Sequence, residues 1–178
     1  MKIDILKQCN VNNILIIAMS YIGVTRFTNE TFHENEHYRK NNNIEDKYIY
    51  NCPVKVSEVI SEECGIMLLE MNNSTNKILG LSYVKNKIAG IRKYNIYKNP
   101  NYNRYCYETS SRIDVMDMCE DEKNIIRFFE ILCFTSKKHM KRGSGISCLN
   151  NQLWKKCDKI IDIKKFIKNM FVKRNILL

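Results

Sequence analysis

Short runs of apolar and β-branched residues recur along the first half of the chain and predict strands. Residues 14–19, 65–71 and 78–84 each form a compact run that is typical of a buried strand. The last two runs flank residues 72–77, where Asn and Ser side chains can satisfy local backbone groups, so we expect a hairpin there. Residues 48–52 predict another short strand.

The stretches between these runs carry weaker patterns. Residues 28–47 are polar and predict either a long loop or a short helix, and residues 56–60 predict a single helical turn. Residues 90–100 and 102–107 mix Tyr with Lys or Arg and predict edge or surface strands. Gly and Pro are scarce throughout, so a flexible linker is not expected.

Helical periodicity is clear in the last third of the chain. Asp121 or the neighbouring acids can open a helix whose apolar residues, within 125–132, share one broad face. Asp158 is a candidate N-cap for a final helix that combines an apolar stripe with many cations. Trp154 is expected to pack this helix against the sheet rather than to line a pocket.

The order of these patterns, strands first and helices last, predicts the fold class. We expect an α+β fold with a twisted or barrel-like, mostly antiparallel sheet and flanking helices, not a doubly wound parallel sheet. The predicted organisation is one mixed α/β domain over residues 1–157, followed by a basic amphipathic helix over residues 158–178. A helix with such a stripe usually docks on its own domain, with anionic lipid or nucleic acid as alternatives.

The uneven distribution of charge points to a class of partner. Residues 1–122 hold 15 Lys and Arg against 16 Asp and Glu, whereas residues 123–178 hold 14 against 3, so a net of −1 is followed by a net of +11. Such asymmetry indicates a polyanionic partner, with nucleic acid ahead of an anionic membrane. A solvated lysine-rich surface is the alternative explanation.

The densest cationic stretch, residues 137–146, also contains two glycines. Lys and Arg supply charge for phosphate groups, and glycines let a backbone approach a ligand closely and present its N–H groups. The candidate contacts are Lys137, Lys138, His139, Lys141, Arg142, Gly143 and Gly145. A solvated turn between two elements is the alternative, and the P-loop pattern G-x-x-x-x-G-K-[ST] is absent.

Aromatic and basic residues interleave between residues 91 and 112. Aromatic rings stack on bases while cations contact the nucleic-acid backbone, so this composition fits single-strand recognition. For most of these tyrosines, a half-exposed sheet is the favoured explanation. Tyr102 and Arg104 are kept as candidates because the preceding Asn and Pro residues place them at a loop exit.

The chain carries no pattern that indicates an enzyme or a metal site. Its eight cysteines are scattered without a C-x-x-C pair, and without a visible secretory signal we expect them to be reduced thiols. His33 and His37 miss the H-E-x-x-H spacing by one residue, so a surface loop is favoured over metal ligation. Neither an activated nucleophile nor paired carboxylates can be identified, and we expect no cofactor.

Two predicted strands and the turn between them resemble the paired strands of the PUA-like superfamily, which includes the EVE, ASCH and YTH domains. The two strands are residues 65–71 and Ile78-Leu79-Gly80-Leu81-Ser82-Tyr83-Val84. Tyr21-Ile22-Gly23-Val24 is similar to the opening segment of those domains, and the resemblance covers roughly residues 14–115. It implies a small β-barrel flanked by helices that binds RNA or modified bases. The aromatic cage of the YTH readers has no assignable positions here. The whole chain also resembles uncharacterised proteins of large DNA viruses.

These patterns predict a nucleic-acid-binding module that recognises RNA, in preference to DNA, or a modified base through the basic glycine-containing segment. A structural or protein-interaction subunit is the alternative, and a transferase is less favoured. The longest apolar run falls far short of the roughly 20 residues that a membrane helix needs. We therefore expect an intracellular location, cytoplasmic or nuclear, or a host cytoplasm or virion if the source is viral.

Overall fold

The computed structural model describes residues 19–149 and 162–176, so Trp154, Asp158 and most of the strand predicted at 14–19 lie outside the described residues. The strands are β1 (Met19–Phe27), β2 (Tyr48–Cys52), β3 (Gly65–Asn72), β4 (Lys77–Lys85), β5 (Gly90–Ile91), β6 (Tyr105–Thr109), β7 (Arg112–Asp114) and β8 (Ser147–Cys148). The helices are α1 (Asn29–Asn41), α2 (Glu120–Glu130) and α3 (Ile163–Lys173). Two 3₁₀ turns lie at Pro100–Asn103 and Val115–Asp117, and a π-helical turn at Ile131–Thr135 extends α2.

The described strands form two open sheets. One sheet has five strands in the order β7-β4-β3-β1-β8, and the other has three in the order β2-β6-β5. β1 and β3 run parallel, and the other pairings among the described strands are antiparallel. The α+β class is confirmed, whereas the barrel-like form of the prediction is wrong. Among the described strands, the five-stranded sheet does not close, since β7 and β8 lie at its opposite edges.

β3 lies at the centre of the molecule because both of its faces are covered. Every residue of this strand is buried, and its alternate side chains point to opposite sides of the sheet. Met67, Leu69 and Met71 belong to a first core that α2 and α3 cover. Ile66 and Leu68 belong to a second core that includes residues of the three-stranded sheet. The mixed sheet is therefore the middle of three layers.

The local predictions for the first half of the chain have different outcomes. The hairpin is confirmed, since β3 and β4 pair antiparallel around the Asn-rich turn. The strand predicted at 48–52 is confirmed as β2. Residues 56–60 form a turn closed by Ile60 N donating to Ser57 O over 3.1 Å, not a helix. Val56 and Ile60 are both buried in the second core, and this packing fixes the turn.

The polar stretch at 28–47, which predicts either a long loop or a short helix, contains the helix α1. Thr28 starts the helix with a reciprocal capping box: its hydroxyl accepts from Thr31 N over 3.2 Å, and the Thr31 hydroxyl accepts from Thr28 N over 2.9 Å. The buried residue of α1 is Asn35, which donates to Ile49 O over 2.8 Å. Because a polar side chain makes this contact, α1 lacks the apolar periodicity by which a helix is recognised.

The two later helices follow the predicted periodicity. α2 begins at Glu120 with Cys119 at its N-cap, close to the predicted start. α3 is capped by Asp162, whose carboxylate accepts from Lys165 N over 2.9 Å. Its apolar stripe is buried in the first core. Within the described ranges, no helix has both the length and the apolar character that crossing a membrane requires.

Glu122 and Arg174 join the start of α2 to the end of α3. The Arg174 guanidinium donates to both Glu122 oxygens, over 2.9 Å and 2.6 Å. Cys119 N donates to the same carboxylate over 3.1 Å. The hydrogen bonds from Arg174 hold the pKa of Glu122 below its ordinary value, although burial acts in the opposite direction. This ion pair therefore stabilises the packing of the two helices in its charged form.

Glu70 is a carboxylate buried between the two sheets, with 2% of its surface exposed. Arg112 of β7 donates to both of its oxygens, and the shortest of these bonds measures 2.8 Å. The hydroxyls of Tyr50 in β2 and Ser82 in β4 donate to the same carboxylate over 2.5 Å and 3.1 Å. Burial alone would lower the pKa of Arg112, but the charge and hydrogen bonds of Glu70 raise it overall.

Removing the Glu70 carboxylate should strongly destabilise the fold. Glu70→Ala removes the buried carboxylate of this network and leaves Arg112 with the more exposed Asp114, 3.0 Å away. We expect the free energy of unfolding in urea to fall by about 3–5 kcal/mol. Glu120→Ala is the matched control, because Glu120 pairs with Arg127 at the surface. That variant should lose less than about 1 kcal/mol. Equal losses in the two variants would contradict a structural role for Glu70.

The Glu122–Arg174 pair should make stability depend on pH in the acid range. Because the folded-state pKa of Glu122 lies below its ordinary value of 4.5, its contribution is complete above that pH. The contribution is lost as the pH falls through the folded-state pKa. Urea unfolding of the wild type and of Glu122→Gln should therefore differ most near neutral pH and converge in acid. A difference that stays constant down to about pH 3 would contradict this assignment.

Candidate nucleic-acid interface

The basic segment at 137–146 is an irregular loop between the π-helical turn and β8. Its exposed cations are Lys137, Lys138 and Arg142. The loop is nevertheless attached to the first core, since Met140 N donates to Cys133 O over 2.7 Å. Its backbone position is therefore fixed while most of its charge remains accessible to a ligand.

Arg26, in β1, holds the same loop from the other side. Its Nε donates to Met140 O. Its Nη1 donates to Gly145 O and to Ser147 Oγ, each over 3.2 Å. The guanidinium thereby connects the middle of the basic loop to the start of β8, which pairs with β1 itself.

The positive charge of Arg26 has no counter-charge among the described residues. The side chain is half-buried, and burial lowers the pKa of its guanidinium from the ordinary value. In the described ranges no carboxylate lies within ion-pair distance of it, and Nη2 has no hydrogen-bond acceptor. A partly desolvated cation is costly, and a ligand anion or carbonyl at Nη2 would offset that cost.

A cavity of about 140 Å³ opens beside Arg26, between β1, the start of α1, β2 and the basic loop. We call it the loop cavity. Its lining includes Arg26, Asn51, Asn73, Tyr102, Gly143 and Gly145, and Arg26 is the one charged side chain among the described lining residues. Sites for drug-sized ligands typically measure roughly 300–1,000 Å³. The loop cavity is therefore suited to one ring or one small group.

Two amide oxygens in this lining, Asn51 Oδ1 and Asn73 Oδ1, are buried without a donor among the described residues. Asn51 Nδ2 donates to Tyr94 O over 2.7 Å, and Asn73 Nδ2 donates to Lys141 O over 3.1 Å. Because carbonyl oxygens can only accept, these bonds define which amide atom is the nitrogen in each side chain. Asn51 and Asn73 thus line the same cavity as Arg26, and buried acceptors without partners are unfavourable.

The two predicted glycines of the basic loop have a backbone reason to be glycine. Gly143 and Gly145 have φ values of +113° and +68°, which strain any residue with a side chain. A Cβ at residue 145 would also lie 3.1 Å from Cys52 Cβ. These positions keep the loop close to β2 and leave the cavity open.

Tyr102 also reaches the loop cavity, although not from a strand as the sequence suggested. It lies in the 3₁₀ turn Pro100–Asn103, because the Asn99 side chain accepts from Asn101 N over 3.1 Å and caps that turn. Its ring is 41% exposed and packs edge-on against Tyr97, with 6.3 Å between ring centroids. The remaining face of the ring is therefore available for stacking.

The other predicted contacts lie outside the lining of the cavity. They are Lys137, Lys138, His139, Lys141, Arg142 and Arg104. Lys141 contributes its backbone carbonyl to Asn73, and His139 Nδ1 is buried without a partner among the described residues. The Arg104 guanidinium lies over the Tyr105 ring, 5.1 Å from its centroid. Of the nine predicted residues, the structure thus brings Gly143, Gly145 and Tyr102 together at the cavity.

Local sequence patterns do not mark Arg26, Asn51 and Asn73 as residues of a site. The contacts of Arg26 reach residues 114 to 121 positions away in the chain, and a local pattern does not reveal contacts at that distance. One signal was present: Arg26 is a single cation within an otherwise largely apolar strand. Asn51 is likewise a polar residue inside the short strand β2.

A second cavity, of about 170 Å³, lies beside α1 and β2 but offers fewer unused groups. The guanidiniums of Arg39 and Arg112 each lie 4.8 Å from the centroid of the Tyr48 ring. Arg39 already donates to Asn35 Oδ1 and to Lys47 O, over 3.1 Å each. Since Arg112 is paired with Glu70, this cavity belongs to the structural network between the sheets.

The histidine pair on α1 adopts a surface arrangement. The rings of His33 and His37 stack with centroids 6.3 Å apart, and His37 Nε2 lies 2.9 Å from Asn41 Nδ2. Within residues 19–149 and 162–176, no group of three or more His, Cys, Asp or Glu residues is placed to hold a metal ion.

Replacing Arg26 should loosen the basic loop without unfolding the protein. In Arg26→Met the carbonyls of Met140 and Gly145 lose a charged donor, so backbone amides in this loop should exchange with solvent at least about tenfold faster. Arg92→Met is the control, because Arg92 is exposed and its side chain has no partner among the described residues. Unchanged exchange in Arg26→Met would show that the loop is held by other contacts.

Comparisons of the chain with protein-family models, with curated proteins and with solved structures find no match. The resemblance to PUA-like domains therefore still rests on the sequence segments that suggested it. A function for the loop cavity has to be argued from the chemistry of its own residues.

Proposed function

We propose that this chain is a nucleic-acid-binding module for single-stranded RNA, with phosphates on the basic loop and one base in the loop cavity. The observation that carries the proposal is that Arg26, half-buried and without a counter-charge among the described residues, lines the same cavity as Asn51 and Asn73. The amide oxygens of these two residues lack donors among the described residues. A nucleobase edge presents both N–H donors and acceptor atoms. One base can therefore satisfy both kinds of group, whereas a simple anion would satisfy Arg26 alone.

The surroundings of the cavity support the same proposal. Lys137, Lys138, Lys141 and Arg142 supply four cations in the loop that carries Gly143 and Gly145. Lys and Arg bind phosphates through charge-assisted hydrogen bonds. The exposed ring of Tyr102 offers a stacking surface, which every base can use. RNA is favoured over DNA because proteins usually read RNA sequence in unpaired, splayed-out bases.

A more specific form of this proposal is that the base bound in the loop cavity is a modified base. Phe27 and Tyr97 contribute aromatic surface to the lining. An added methyl group on the base would gain contact with such surface, because burying a methylene-sized group contributes about 0.8 kcal/mol.

Binding of short single-stranded RNA should weaken steeply with salt, and removing the loop cations should flatten that dependence. Each phosphate contact contributes about 0.7 to the logarithmic salt slope for a single strand. Lys137/Lys138/Lys141/Arg142→Ala should therefore reduce the slope by up to about 3. Fluorescence anisotropy over a salt series, with RNA and DNA in single- and double-stranded form, measures this directly.

The control for this experiment removes four cations elsewhere, in Lys40/Lys55/Arg92/Lys123→Ala, and should leave most of the slope intact. Tyr102→Ala tests the cavity separately. It should weaken RNA binding by about 1–3 kcal/mol while the slope stays the same, because a stacking contact releases no counterion. If the wild type binds no nucleic acid, the proposal fails and the interaction-subunit alternative takes its place.

A further inference from the structure

A further polar cavity, separate from both cavities described above, lies at the opposite end of the five-stranded sheet from the loop cavity. The pairing of Phe27 with Asn72 marks the end of the sheet beside the loop cavity. In the β3–β4 ladder, Asn72 pairs with Lys77 at that end and Gly65 pairs with Lys85 at the other. This cavity lies at the Lys85 end of the ladder and has a volume of about 470 Å³. We call it the β4 groove, and its lining includes Tyr83, Lys85, Lys87, Ile88, Thr109 and Ser110.

The Tyr83 hydroxyl in this lining is buried and has no hydrogen-bond partner among the described residues. The side chain is 4% exposed. Its ring extends over Gly65, where a Cβ would lie 2.1 Å from the hydroxyl oxygen. Burial raises the pKa of Tyr83, so the group stays protonated and can donate. An unpartnered buried hydroxyl reduces stability, and a packing role would be served equally well by Phe.

Two lysines that form no ion pair with any described residue line the same groove as Tyr83. Lys85 is two residues after Tyr83 on β4, so the two side chains share one face of the strand. Lys85 and Lys87 are exposed. Neither forms an ion pair with a carboxylate of the described residues. Their two positive charges are therefore available to a ligand in the β4 groove.

The carboxylate of Glu108 also lines the groove, but it does not neutralise the charges of Lys85 and Lys87. Glu108 accepts hydrogen bonds from Lys93 and from the Tyr94 hydroxyl, and its contact with Lys47 measures 3.5 Å. The pKa of Glu108 is lowered, because these hydrogen bonds and charges outweigh its burial. Two lysines already balance Glu108, so Lys85 and Lys87 leave the groove with an excess of positive charge.

The turn between β6 and β7 adds neutral donors on the other wall. Thr109 Oγ1 accepts from Ser111 N over 3.0 Å and keeps its own proton available. Ser110 is exposed at the tip of the turn. Ile88 and Ala89 are half-buried and give the groove an apolar side. The groove thus combines ammonium and hydroxyl donors with a surface for an uncharged group.

We infer that the β4 groove binds the phosphate group of a nucleotide-sized ligand. A phosphate has acceptor oxygens for every donor in the groove, and lysine binds it as a point charge. The volume falls within the range that is typical of small-molecule sites, which leaves room for the organic group that carries the phosphate. The inference is independent of RNA binding at the loop cavity, because the two sites share no lining residue and lie at opposite ends of the sheet.

Isothermal titration with adenosine 5′-monophosphate, adenosine and inorganic phosphate tests this inference. We expect the monophosphate to bind and adenosine to bind at least about tenfold more weakly. Lys85→Ala/Lys87→Ala should weaken monophosphate binding at least about tenfold, whereas the control Lys40→Ala/Lys55→Ala should not. The quadruple loop variant should keep its affinity for the monophosphate, which separates this site from the loop cavity. Loss of binding in the loop variant instead would overturn the assignment to the groove.

Tyr83→Phe distinguishes a ligand contact from a structural role. Because the hydroxyl has no partner among the described residues, its removal should leave stability unchanged or higher. The same change should weaken monophosphate binding at least about fivefold. A variant that loses stability but keeps its affinity would contradict the inference.

A pair of oligonucleotides that differ in a 5′-phosphate identifies the source of the ligand. Stronger binding of the phosphorylated oligonucleotide that depends on Lys85 and Lys87 assigns the groove to a nucleic-acid end. Binding of the free monophosphate without that preference assigns it to a free nucleotide. If neither the monophosphate nor the phosphorylated oligonucleotide responds to the lysine changes, the inference is wrong.

Discussion

The buried pair of Glu70 and Arg112 is the interaction on which the arrangement of the two sheets depends. β3 is covered on both faces, so a carboxylate on this strand cannot reach water and must be neutralised inside the protein. Tyr50 donates to the same carboxylate from the other sheet. The residue after it, Asn51, lines the loop cavity opposite Arg26 of β1. The network between the sheets therefore sets the separation of the groups that form the candidate site.

Arg112 and Arg26 show how the same side chain can lie in two different electrostatic environments within one fold. Arg112 donates to two carboxylates, Glu70 and Asp114, which balance its charge within the protein. Arg26 donates to two backbone carbonyls and one hydroxyl, none of which carries a negative charge. The first arrangement stabilises the fold. The second leaves a charge at a cavity, which is the condition that a binding site for an anionic or carbonyl-bearing ligand requires.

The sequence predicted the parts of this structure that local periodicity determines. The β3–β4 hairpin and α2 follow from apolar spacing. Gly143 and Gly145 are notable in the sequence because they lie within a basic segment, and both have a positive φ. The pattern at 28–47 does not distinguish the helix α1 from a loop, because the buried residue of α1 is the polar Asn35. Arg26 was missed because its partners are more than a hundred residues away in the chain. Local pattern reveals elements, whereas the candidate site arises where distant elements meet.

The way the basic loop is held has a consequence for how its specificity can change. The side chains of Arg26 and Asn73 donate hydrogen bonds to the backbone carbonyl oxygens of residues 140, 141 and 145. Every amino acid supplies a carbonyl, so these anchors do not depend on which side chains the loop displays. Substitutions at 141, 142 and 144 can therefore change the side chains that the loop displays while the loop keeps its shape. The backbone of the loop is thus fixed independently of these side chains. A small randomised library at the three positions would be a suitable starting point for engineering the ligand preference of the loop.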